Sequence, residues 1–128
     1  MRLAHVRLVT GNVPALAHFY REITGVIPIG SEDYVEFQGS DTVLAISSKQ
    51  GIDLFNAGAA DAAANRSLIL DFEVADVDAE RSRLSAIIGT FVLEPTDQPW
   101  GNRSMLFRDP DGNLVNFFAP ILRATAGQ

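Results

Sequence analysis

The run Leu3-Ala4-His5-Val6-Arg7-Leu8-Val9 decides how this chain is read, because a second run of the same character, Leu68-Ile69-Leu70-Asp71-Phe72-Glu73-Val74, follows it. Both are short, apolar and β-prone. In the first, Ala4, Val6 and Leu8 share one face of a strand, and Leu3, His5, Arg7 and Val9 share the other. Matching the two runs places Ile69 where the first has His5, an offset of 64 residues. The same offset separates Gly25 from Gly89, each of which follows a helical pattern. The chain therefore reads as a duplicated module in which one copy carries a metal-type residue and the other does not.

Working outward, Gly11-Asn12 breaks the first strand, and Asn12 is a good helix cap with Pro14 tolerated in the first turn. Val13, Leu16, Ala17, Tyr20 and Ile23 then recur at helical spacing until Gly25. Short strands are expected over residues 26–30, 34–38 and 42–47, with Gly39-Ser40-Asp41 as the last turn. In the second copy Asp76 caps a helix carrying Val77, Leu84, Ile87 and Ile88, which Gly89 stops. Strands follow at 90–93, 103–108 and 114–118. The loop 94–102 carries the only tryptophan, Trp100. Asp109-Pro110-Asp111-Gly112-Asn113 is a tight turn, with Gly supplying a positive φ. Each half thus reads β-α-β-β-β. The small-residue stretch 58–65 reads as part of a linker, with a short helix as the alternative favoured by its alanines.

A chain of 128 residues is most simply one domain. Within it the first module covers about 1–48, the linker 49–66, the second module 67–120 and a tail 121–128. No apolar stretch approaches the ~18–20 residues that span a membrane, and the N-terminus lacks a basic segment before an apolar one, so a cytoplasmic location is expected. The absence of cysteine excludes disulfides and thiolate-based zinc sites. A net charge of −6 with scattered basic residues argues against nucleic acid, whose affinity rests on neutralised phosphates. That charge could draw a cationic small molecule, or simply keep the protein soluble. No Gly-x-Gly-x-x-Gly, phosphate loop or Gly-x-Ser-x-Gly is present.

The runs His5-Val6-Arg7-Leu8, Phe19-Tyr20 ahead of Gly25, Phe72-Glu73-Val74-Ala75-Asp76-Val77-Asp78 and Phe107-Arg108-Asp109-Pro110-Asp111-Gly112-Asn113 resemble, in order and spacing, the vicinal oxygen chelate superfamily. That superfamily includes glyoxalase I, extradiol dioxygenases, and fosfomycin- and bleomycin-resistance proteins, the last being the most similar. The resemblance runs from about residue 3 to 120. It implies an α+β fold of two tandem βαβββ modules, forming a curved mixed sheet around a cleft with helices outside. It also implies a homodimer.

In metal-dependent members of that family the ion is held by a His at the position of His5, commonly a His at that of Ile69, and a Glu at that of Asn116. A fourth ligand, where present, comes from a strand that here offers Ala45, Ile46, Ser47 and Ser48. Ile cannot donate an electron pair and Asn lacks the charge of Glu, while a catalytic divalent ion usually needs three protein ligands. No metal or other cofactor is therefore expected. A displaced site built from His5, Asp71 and Asn116 is the alternative.

The resemblance places His5, Arg7, Asp71, Asn116 and Phe118 on the cleft face, with Arg7 and Asp71 as a possible ion pair. Trp100 and Arg103 could stack on and orient a planar ligand; alternatively Trp100 only anchors its loop and Arg103 pairs with a carboxylate. His18 is expected to be solvated. The implied function is metal-independent binding and sequestration of a small organic molecule, without catalytic residues, membrane or nucleic acid. The alternatives are a divalent-metal lyase or dioxygenase of the glyoxalase I type, and an interaction domain whose cleft is filled by its own side chains.

Overall fold

The computed structural model describes residues 1–121. The described chain forms two compact units: Met1–Arg66 with Asp109–Asn113 make the first, and Ser67–Arg108 with residues 114–121 make the second.

The first unit runs β1 (His5–Thr10), α1 (Val13–Thr24), β2 (Ile29–Gly30), β3 (Tyr34–Phe37), β4 (Val43–Ser48) and α2 (Lys49–Asn56). Its sheet has the order β1-β4-β3-β2, with β1 and β4 parallel and the other pairs antiparallel. The Asn12 side chain accepts from the Ala15 N–H at 3.1 Å, and Gly25, left-handed at φ 72°, closes α1 through the Arg21 carbonyl. Val13, Leu16, Ala17, Tyr20 and Ile23 are the buried residues of α1, as the spacing requires. One sheet face, with Leu8, Leu44, Ile46, Val35 and Phe37, is buried with them. Tyr20 is fully buried, edge-on to Phe37, and its hydroxyl donates to Asp109 Oδ2 at 2.6 Å. Asp109 also accepts from the N–H groups of Asp111 and Asn113 and from Asn113 Nδ2, so the turn belongs to this unit's hydrogen-bond network.

The second unit runs β5 (Ile69–Glu73), α3 (Val77–Leu84), β6 (Leu93–Asp97), β7 (Asn102–Arg108) and β8 (Leu114–Pro120). Its sheet has the matching order β5-β8-β7-β6, with β5 and β8 parallel. Val77, Leu84, Met105, Phe107, Val115 and Phe117 are buried, and the Phe107 and Phe117 rings pack edge to face at 5.2 Å. The two repeated βαβββ modules expected from the sequence are present, each with a four-stranded mixed sheet.

Several boundaries differ. The first part of the expected linker 49–66 is helix α2. Ser48 Oγ accepts from the Gly51 N–H at 2.9 Å to cap it, Ile52 is its buried residue, and Lys49 pairs with Asp53 one turn on. Residues 58–65 are turns and irregular chain, not helix. Helix α3 ends at Leu84 rather than Gly89, because the Ser85 hydroxyl bonds the Ser82 carbonyl and the N–H groups of Ile87 and Ile88 both return to Leu84. The strand expected at 90–93 is β6, which takes up half of the expected loop 94–102. It carries an irregularity between Leu93 and Thr96, where Pro95 has no N–H to give. Strand β2 is two residues rather than five. The expected tail lies almost wholly outside the described residues. Among those described, no helix is long and apolar enough to cross a membrane.

Candidate functional site

Strand registry sorts each sheet into a helix-packed face and an open face. In the first unit Arg7, Ala45 and Glu36 lie at one level across β1, β4 and β3, while Val9, Ser47 and Tyr34 lie at the next. With His5 and Val43 they form the open face.

The polar residues of that face are already organised. Glu36 Oε2 accepts from the Tyr34 hydroxyl at 2.7 Å and lies 3.3 Å from His5 Nε2; Glu36 Oε1 accepts from Gln38 Nε2 at 3.0 Å. Strand β4 lies between the strands of His5 and Glu36. The contact runs diagonally over β4: Val43 stands level with His5, and Ala45, fully buried and too small to block the way, stands level with Glu36. The Tyr34 hydrogen bond, with help from Gln38 and then His5, holds the Glu36 carboxyl below its usual range, so it is ionised at neutral pH. The same bond raises the Tyr34 phenol, a shift that the charge of Arg7 partly opposes. A carboxylate beside Nε2 favours the imidazole tautomer protonated there, leaving Nδ1 as an acceptor. The guanidinium of Arg7 is exposed and, among the described residues, has neither hydrogen bond nor ion pair.

Tyr34, Glu36 and Gln38 were not singled out from the sequence. The signal was present: Tyr34-Val35-Glu36-Phe37-Gln38 alternates polar and apolar, so its polar members must share a face.

In the second unit Asp71 and Asn116 are register partners on β5 and β8, and Asp71 Oδ1 accepts from Asn116 Nδ2 at 2.9 Å. This bond fixes the amide's orientation and leaves Asn116 Oδ1 buried without a partner. Ile69 and Phe118 share that face. Arg7 belongs to the first unit and Asp71 to the second.

The sequence left two readings of Arg103 open. Arg103 alternates with Asn102 and Ser104, and so lies on the helix-packed face with Met105 and Phe107. Its guanidinium is occupied by Asp78 of α3, at 2.8 and 2.9 Å, and by Asp97 of β6 at 3.0 Å. The alternative reading, pairing with carboxylates, is the one the geometry fits. Those bonds hold Asp78 below its usual range and raise Arg103. Trp100 stands exposed in the turn between β6 and β7. His18 is exposed on α1, 3.9 Å from Glu22.

The donor chemistry is unlike that of the metal-holding relatives. Ile69 has no lone pair, the Asn116 amide is tied to Asp71, and Ser48 Oγ caps α2. Among the described residues no three His, Asp or Glu side chains are grouped to hold an ion. The residues present do not fit the family's divalent metal. A separate open cavity of about 470 Å³ lies at the starts of α1 and α2 in the first unit, lined by Thr10, Asn12, Asp33, Ser48 and Lys49 among others. Lys49 there is committed to Asp53, Asp61 and the Ala60 carbonyl.

A family model described as Glyoxalase/Bleomycin resistance protein/Dioxygenase superfamily matches residues 2–117. No curated protein matches. Among solved structures, a glyoxalase/bleomycin resistance protein/dioxygenase from Nocardioides is 25% identical with a TM-score of 0.79, covering 100% of this chain and 89% of its own. A family enzyme of the same description from Burkholderia phytofirmans PsJN is 16% identical with a TM-score of 0.82, covering 94% and 100%. A lactoylglutathione lyase from Agrobacterium tumefaciens is 22% identical with a TM-score of 0.70, covering 91% of each chain. The last two likenesses bear on the fold alone.

Proposed function

Because this chain belongs to the Glyoxalase/Bleomycin resistance protein/Dioxygenase superfamily, we propose that it binds and sequesters a small organic molecule without a metal ion, in the manner of bleomycin-resistance proteins. The observation that carries this reading is the ordered array on the first unit's open face. Glu36 is held by two hydrogen-bond donors, Tyr34 and Gln38, and in turn lies beside His5, on the same strand as an uncommitted Arg7. Such prearranged polar groups are what a small-molecule site needs for orientation. The second unit's own open face carries a polar pair, Asp71 and Asn116, with Phe118 as apolar surface, and Trp100 is exposed in the turn between β6 and β7. Arg103 has no part in the proposal.

The chemistry of the donor set supports metal independence, since aliphatic and carboxamide side chains replace an imidazole and a carboxylate. The reading also includes a homodimer in the cytoplasm. The exposed Leu54 and Phe55 on α2 are the kind of surface an association would cover.

Isothermal titration against a panel of small aromatic and charged compounds tests the binding reading. Saturable binding that Glu36→Gln weakens is the expected result. Metal analysis of protein purified without chelator separates it from a lyase or dioxygenase: near-stoichiometric nickel, iron, manganese or zinc would favour the enzyme.

A further inference from the structure

We propose that the ligand of the first unit's open face is an organic carboxylate that also carries a hydroxyl, its carboxylate forked on Arg7 and its hydroxyl donating to His5 Nδ1. This rests on the binding reading above and names the ligand class.

The argument begins with which groups on that face are already committed. Arg7 and Glu36 occupy the same level, one strand apart, and are the pair that simple electrostatics would join. They are not joined. Both Glu36 oxygens are taken, one by Tyr34 and His5 and the other by Gln38. The guanidinium is left with five N–H donors and no acceptor among the described residues. An exposed arginine in water loses little by this. On a face where its natural partner is held by other donors, however, it is a ready anion anchor that needs no ion pair broken first. A planar carboxylate matches the guanidinium fork with two parallel hydrogen bonds, which a neutral or cationic group cannot form.

His5 supplies the second point. Because Nε2 faces Glu36, the free ring nitrogen is Nδ1, an acceptor in the neutral imidazole. It requires a donor from the ligand. His5 and Arg7 are two residues apart on one strand, a separation of roughly 6–7 Å. The ligand's two groups must therefore stand well apart, as across an aromatic ring, and not on adjacent atoms. Val43, level with His5 on the neighbouring strand, gives an apolar surface beside the two groups on which a ring can rest. A hydroxylated aromatic acid satisfies each of these requirements.

The test is isothermal titration of the full chain with four probes of similar size: 3-hydroxybenzoate, benzoate, benzyl alcohol and benzylamine. The carboxylates are expected to bind at least about tenfold tighter than the alcohol and the amine, with 3-hydroxybenzoate tighter than benzoate. Arg7→Gln should erase the preference for carboxylates, and Arg7→Lys should keep part of it, which guards against a variant that merely misfolds. His5→Phe should bring 3-hydroxybenzoate down to the level of benzoate. If benzyl alcohol or benzylamine binds as well as benzoate, or Arg7→Gln leaves the ratio unchanged, the carboxylate inference is overturned and the binding reading stands. If none of the four probes binds, both fall.

Discussion

His5 Nε2 and Glu36 Oε2 lie 3.3 Å apart although the whole of β4 runs between their strands. Two strands that flank a third are separated by roughly 9–10 Å, so their side chains meet only over a small central residue. Ala45, level with Glu36 and without exposed surface, is the small residue over which Glu36 reaches toward His5. Ala45→Leu should therefore do two things. Overpacking should cost about 1–3 kcal/mol of stability, and His5 should be separated from Glu36. Ring-nitrogen NMR would then show His5 in the state that Glu36→Gln produces. A leucine variant with the wild-type His5 spectrum would show that the contact does not depend on this gap.

Glu36 should also mark the acid limb of stability. Its folded carboxyl titrates below the ordinary value of 4.5 because Tyr34, Gln38 and His5 favour the charged form. The unfolded chain consequently binds the proton first. The contribution of Glu36 is fully present above the unfolded value and is lost as pH falls through the folded one. Denaturation midpoints of the wild type and Glu36→Gln should differ at pH 7 and converge as the pH is lowered beyond the ordinary carboxylate range. A constant gap across that range would mean that the carboxylate's charge is not what its partners stabilise.

The strand-helix-strand order was legible because it rests on local chemistry. Asn12 and Asp76 cap helices with their own side chains, Gly25 takes the left-handed conformation, and buried positions on α1 fall at helical spacing. Helix α2 was not legible, since a capping Ser48 and one buried Ile52 inside a polar stretch leave almost no periodic signal. The site was half legible. Alternation put His5 with Arg7 and Asn116 with Phe118, because those pairs share a strand. The partnership of His5 with Glu36 depends on registry across β4, which no single-strand pattern contains. For Arg103 the sequence left ligand contact and carboxylate pairing both open, for a related reason. The strand preceding β7 was expected to end before Glu94, so the partner Asp97 was not seen as a strand residue opposite it.

Arg103 gives a direct test of the carboxylate-pairing reading. Its bonds to Asp78 and Asp97 are solvent-accessible, and such pairs contribute little net stability. Arg103→Met should lower the unfolding midpoint by no more than about 3 °C and leave every affinity in the ligand panel unchanged. A selective loss of ligand binding in a folded Arg103→Met protein would return this residue to the site.

Gly30 tests how tightly the β2–β3 turn positions Tyr34. Its φ is 148°, and a Cβ placed there would lie 2.1 Å from the Tyr34 carbonyl oxygen, a backbone atom that cannot swing aside. Gly30→Ala must open the turn, and a loss of about 2–4 kcal/mol is expected from the clash and the strained backbone together. Because Tyr34 is displaced with the turn, Glu36 should lose its strongest donor, and its carboxyl should titrate closer to the ordinary range in carbon-13 NMR. Retention of wild-type stability by the alanine variant would refute this account of the turn.

Tyr20 should control the alkaline limb. Burial, and then the negative charge of Asp109, raise its phenol well above the ordinary 10.0. The folded state therefore keeps the proton where the unfolded chain releases it. Tyr20's contribution is fully present below pH 10 and declines as pH rises beyond it, by up to about 1.4 kcal/mol per pH unit. Tyr20→Phe removes the hydroxyl bonded to Asp109 Oδ2 at 2.6 Å, and leaves that oxygen with the Asn113 amide. The loss at pH 7 should be about 1–3 kcal/mol, the range for breaking one buried hydrogen bond to a charged acceptor. Tyr34, whose phenol is also raised, is present in both proteins and cancels in the comparison. Urea midpoints followed from pH 8 to about 11 should show the gap between wild type and Tyr20→Phe narrowing above pH 10. If the two curves stay parallel instead, the phenol is ionising as freely in the folded protein as in the unfolded chain, and the Tyr20–Asp109 bond does not hold its proton.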